Sequence, residues 1–109
     1  MAAVAPSIHS MTTDEVRNVS VDMSALLDAG ELLTGTPAIQ CSADLTIANP
    51  QINSAAVDIN GSSVAAGAAV QFTAQSAVPG RYRIEVLCDT DAGQVIEGIV
   101  VISVERSRY

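Results

Sequence analysis

From Val78 to Val104 the chain alternates so regularly that it admits one local fold, two long antiparallel strands joined by a tight turn. Pro79-Gly80 supplies a turn into the first strand. Tyr82, Ile84, Val86 and Cys88 then point one way, with Arg81, Arg83 and Glu85 the other. Asp89-Thr90-Asp91-Ala92-Gly93 is a second turn, rich in residues whose side chains bond to their own backbone or tolerate positive φ. The final strand, Val95 to Glu105, puts Gly98, Val100, Ile102 and Val104 inward, and its run Ile99-Val100-Val101-Ile102 reads as a buried strand.

The rest of the chain is organised the same way. Val19, Val21 and Met23 alternate with Asn18, Ser20 and Asp22, the mark of a half-buried strand. In Ser24–Gly30, Ser24 is placed to cap one helical or 3₁₀ turn and Gly30 to end it. Ile39, Cys41, Ala43 and Leu45 alternate with polar neighbours, which predicts one strand, and Asn49-Pro50 predicts a break after it. Asn60-Gly61 after Ala55–Ile59 signals a hairpin, because both residues accept the positive φ of a type I′ turn. Val70, Phe72 and Ala74 share one face of another strand. About seven short strands with turn signals between them predict an all-β fold, an immunoglobulin-like antiparallel β-sandwich. Residues 1–15 show no sustained periodicity and read as an extended N-terminal arm, with the sandwich over 16–106 and a short tail over 107–109. On that reading, removing residues 1–12 spares the fold and weakens assembly.

Charge narrows the function classes. The 109 residues carry twelve carboxylates against five basic residues, all arginine, for a net charge of −7. A surface this acidic repels phosphate and argues against nucleic-acid binding. Four arginines, Arg81, Arg83, Arg106 and Arg108, lie after residue 80, an asymmetry that suits either head-to-tail contact between copies or a solvated surface. No apolar stretch approaches the ~20 residues of a membrane-spanning helix. The N-terminus lacks a positive region and its apolar run stops at Pro6, so the expectation is synthesis in a cytoplasm with reduced thiols.

No residues assemble a catalytic, cofactor-binding or metal site. His9, the only histidine, has no nucleophile or acid near it in sequence. Asp89 and Asp91 resemble the start of a calcium loop, but the bidentate glutamate at its twelfth position is missing. Cys41 and Cys88 both fall on inferred core faces, either as two buried thiols or as an inter-sheet disulfide. Tyr82 stands where an immunoglobulin-like domain can use a tyrosine to bond back to nearby backbone. With no tryptophan, and with Phe72 and Tyr82 inferred to be inside, sugar stacking has little support.

Two stretches carry a resemblance. Val19–Glu31, ending in Leu26-Leu27-Asp28-Ala29-Gly30-Glu31, is one. Gly80-Arg81-Tyr82-Arg83-Ile84 with Thr90-Asp91-Ala92-Gly93 and the strand through Arg106 is the other. Together they resemble a family of small bacteriophage virion proteins of the fiber–tail adaptor-like kind, over about residues 18–106. Where that family often has a tryptophan, this chain reads Ala56-Val57-Asp58-Ile59, and its N-terminal arm is longer. The resemblance implies a non-enzymatic structural protein of the virion, made in the bacterial host cytoplasm. Such a subunit joins neck or tail to fibers or forms part of the neck and tail. The alternatives are a capsid decoration protein and an immunoglobulin-like binding module of a bacterial surface protein. The implied partners are other virion proteins (portal, adaptor, tail, fiber or capsid) and further copies of the chain, with no nucleic acid, membrane or cofactor. The expected interface is the arm and tail: Val4, Ile8, His9, Met11, Arg106, Arg108 and Tyr109.

Overall fold

The computed structural model describes residues 7–59 and 61–106. In chain order it contains β1 (Ser7–Thr12), β2 (Val16–Asp22), a 3₁₀ turn (Ser24–Leu26), β3 (Leu33–Gln40), β4 (Leu45–Ile52), β5 (Val57–Ile59), β6 (Ser62–Val64), β7 (Ala69–Ser76), β8 (Gly80–Thr90) and β9 (Val95–Glu105). The fold is an all-β sandwich. One sheet has the order β1-β9-β8-β3, the other β2-β7-β4, and β5-β6 is a separate hairpin. With β2, β3, β4, β7, β8 and β9 in the B, C, D, E, F and G places, this is the immunoglobulin-like order.

The long hairpin forms as its pattern predicts. β8 and β9 pair antiparallel from Gly80 opposite Val104 to Asp89 opposite Val95. Tyr82, Ile84, Val86, Cys88, Ile96, Val100, Ile102 and Val104 face the core, where they meet Val19, Val21, Val70 and Phe72 of the second sheet and Met23 just after β2. Within the run Ile99–Ile102 only Val100 and Ile102 are buried, while Ile99 and Val101 stand half-buried on the outer face. Gly98 makes room for Met23 rather than supplying an unusual φ, since a Cβ there would lie 2.5 Å from Met23 Sδ and force that side chain to shift. Tyr82 Oη donates to the Val78 carbonyl at 2.5 Å and pins the corner where the chain changes sheets.

Three expectations need correction. Residues 1–15 are not an arm throughout, because Ser7–Thr12 forms β1, which runs parallel to β9 from Ser7 opposite Val100 to Thr12 opposite Glu105. Met11 from this strand is 4% exposed and belongs to the core. An edge strand is held by a backbone ladder that any sequence can supply, so it needs little alternation of its own. The strand expected over Ile39–Leu45 is two strands, β3 and β4, separated by a turn. Ser42 makes that turn, its Oγ accepting from Asp44 N and its carbonyl from Leu45 N. Finally, Asn49-Pro50 does not end β4 but bulges it, with the register shifting between Ala48 and Gln51 and Asn49 at φ 54°.

The turn around Cys41 also separates the cysteines. Cys41 is exposed, Cys88 is buried, and both are free. Gln40 pairs with Glu85, so Cys41 lies several rows from Cys88. That separation is on the order of 13 Å at strand rise, beyond the roughly 7 Å between Cα atoms that a disulfide allows.

Candidate functional site

The 3₁₀ turn and its exit lock onto the tip of the β8–β9 hairpin. Glu31 is 6% exposed, and its carboxylate accepts from the Asp28 amide at 2.9 Å, from the Thr90 hydroxyl and from Gln94 Nε2 at 2.9 Å. The Asp28 amide, followed by the Thr90 hydroxyl, holds this carboxyl below the usual carboxylate range. Asp91 completes the junction, its Oδ1 accepting from Leu32 N and its own amide donating to Leu32 O. Asp91 thus ties the hairpin tip to Leu32, and no group of three potential metal ligands occurs among the described residues.

Across the outer face of the β2-β7-β4 sheet runs a cavity of about 330 Å³, lined by Asn18, Ser20, Asn49, Gln51, Gln71 and Thr73 over Val19 and Phe72. The β4 bulge shapes it by turning Asn49 into the left-handed region, which asparagine tolerates better than most residues. Gln71 Nε2 bonds Ser20 Oγ at 3.4 Å and Thr73 Oγ1 bonds the Ala48 carbonyl at 3.2 Å. The side-chain amides of Asn18, Asn49 and Gln51 have no partner among the described residues. This lining offers uncharged donors and acceptors and no carboxylate, imidazole or thiol, so it can bind, and the Ser20 and Thr73 hydroxyls have no base beside them in the lining.

The two ends of the sandwich differ sharply in charge. At one end lie the β1–β2 and β7–β8 connections and the close of β9, with Arg17, Arg81, Arg83 and Arg106. Arg17 is paired with Glu15 at 3.0 Å, and Arg83 approaches Glu85 at 3.7 Å. The opposite end holds Asp22, Asp28, Glu31, Asp89, Asp91 and Glu97, with no arginine among the described residues. The large apolar side chains most open to solvent sort to the same two places. Val16 (60%) and Val78 (45%) sit at the arginine end, Leu32 (46%) and Val95 (51%) at the acidic end.

Among the residues expected at an interface, Met11 is inside the core, a correction forced by the pairing of β1. The backbones of Ile8 and His9 lie in β1, opposite Val101 and Ile102. Arg106 is exposed at the arginine end. Val4, Arg108 and Tyr109 lie outside the described residues. Sequence reasoning missed the groove, because Asn18, Ser20, Gln71 and Thr73 read only as the wet side of alternating strands, and the bulge that shapes the cavity has no signature beyond Asn49-Pro50. No helix among the described residues is long and apolar enough to cross a membrane. The chain matches no family model, and no curated protein matches it.

Proposed function

We propose that this chain is a non-enzymatic structural protein of a bacteriophage virion, a small immunoglobulin-like subunit that joins neck or tail to fibers or forms part of the neck and tail assembly. The observation that supports this reading is the junction around Glu31. The two stretches that carry the resemblance, Asp28-Ala29-Gly30-Glu31 and Thr90-Asp91-Ala92-Gly93, are 59 residues apart at Glu31 and Thr90 and meet in one hydrogen-bonded unit. The direct test is mass spectrometry of particles purified from the phage that encodes the chain. Peptides of this chain are expected at a fixed ratio to the neck and tail proteins. Their absence from particles made by cells that express the chain would overturn the reading.

The groove on the β2-β7-β4 sheet favours a second reading, an immunoglobulin-like binding module for a neutral, hydroxyl- or amide-rich ligand. Its volume is at the lower end of the range of small-ligand sites, about 300–1,000 Å³. Gln71→Ala and Gln51→Ala would then abolish binding to neutral glycans immobilised on an array, without lowering the melting temperature. The form of this reading that needs a Cys41–Cys88 bridge is not supported, since both thiols are free.

A further inference from the structure

The geometry points to head-to-tail association of copies of this chain, the arginine end of one docking on the acidic end of the next. Three features carry it. The first is segregation of charge: the cations of the described chain gather at one end, where Asp14, Glu15, Asp44 and Glu105 offset them, while the other end is acidic without compensation. The strand tips are roughly 33 Å apart along β8, several Debye lengths at physiological salt, so charges at one tip do not neutralise those at the other within a monomer, while Arg83 and Glu97 lie nearer the middle.

The second is the placement of exposed apolar side chains, Val16 and Val78 at one end and Leu32 and Val95 at the other. An association surface needs an apolar centre as well as charge, because exposed ion pairs alone contribute little. The third is exclusion. An acidic end packing on a second acidic end meets like-charge repulsion, which disfavours a two-fold contact there. It can receive the other end, where Arg81 and Arg106 have no ion-pair partner among the described residues. A contact between unlike surfaces is heterologous, and it either closes into a ring or grows as a file.

This inference deepens the assembly reading and rests on it for the setting in which copies meet. Sedimentation of the full chain over a concentration series is expected to show mass rising with concentration and falling as salt is added. Val95→Arg blocks the acidic end and Val78→Asp blocks the arginine end, both at exposed positions, with unchanged thermal unfolding as the check on the fold. Each variant alone is expected to lose association by at least about tenfold, 1.4 kcal/mol. Mixed one to one, they retain one productive pair of ends and are expected to form a dimer that grows no further. A wild-type chain that stays monomeric at every concentration overturns the contact, as does a mixture that fails to dimerise. Neither result bears on whether the chain is found in particles, so this failure is distinct from failure of the virion reading.

Discussion

Tyr82 shows how one atom holds a corner of this sandwich. Its hydroxyl bonds the Val78 carbonyl at the exposed turn while Tyr82 as a residue is 8% exposed, so one end of the side chain packs in the core and the other ties down the corner. Tyr82→Phe is expected to keep the fold and lower stability by about 0.5–1.5 kcal/mol, the net worth of one hydrogen bond, because the Val78 carbonyl sits at an exposed turn and still has the Ser76 hydroxyl at 3.0 Å. Urea denaturation checks this, and an unchanged midpoint would refute the corner's role. The cysteines give a second residue-scale expectation. Burial, with the charge of Asp89 beside it, pushes the Cys88 thiol up to about 11, whereas Cys41 sits in an exposed turn. A thiol reagent at neutral pH should therefore modify the native chain once, at Cys41, and reach Cys88 only on unfolding. Tyr82 was legible because the corner has a known place before a late strand. Cys41 was misread because a turn can alternate by accident.

At the scale of elements, the turns depend on buried polar side chains as much as on glycine. Glu31 ties the 3₁₀ exit to the hairpin tip. Its carboxyl titrates below its ordinary value of 4.5, so its contribution is fully present above that pH and is lost as pH falls through the lowered value. Glu15, bonded to the Thr12 amide and near Arg17, shifts in the same direction and adds to the same window. The wild type should lose stability on acidification below about pH 4.5. Glu31→Gln should be less stable at neutral pH and show a shallower loss, measured as urea midpoints along a pH series. Asn53 does similar work for the β5–β6 hairpin. Its Oδ1 accepts from the amides of Gly67, Ala68 and Ala69, and its Nδ2 donates to the carbonyls of Ala55 and Ala65. Nothing in the sequence marked Asn53, since its bonding partners are up to 16 residues away. The reversal between β5 and β6, with Ile59 opposite Ser62, was by contrast legible from two adjacent residues, Asn60-Gly61, of which Asn60 lies outside the described residues.

For the whole molecule, β1 decides how the N-terminal residues should be regarded. It pairs with β9 and contributes Met11 to the core, so residues 7–12 are part of the sandwich. Deleting residues 1–12 is expected to cost at least about 2 kcal/mol, the low end for emptying a buried methionine site, with the β9 edge newly exposed. Equilibrium unfolding measures this. A deletion variant as stable as the full chain would restore the view of this segment as a dispensable arm.

The fold class was written in local pattern. The alternation in β2, β7, β8 and β9 sets which side of each strand is buried, and the turn residues between them set where the chain reverses, because both depend on neighbours close in sequence. Which strands pair, and what they bring together, was decided only by tertiary structure. The parallel seat of β1, the bulge that shapes the groove, the meeting of Glu31 with Thr90 and the sorting of charge to opposite ends all join residues distant in the chain. No local periodicity records such a meeting, since the energy that selects it is that of packing two sheets together.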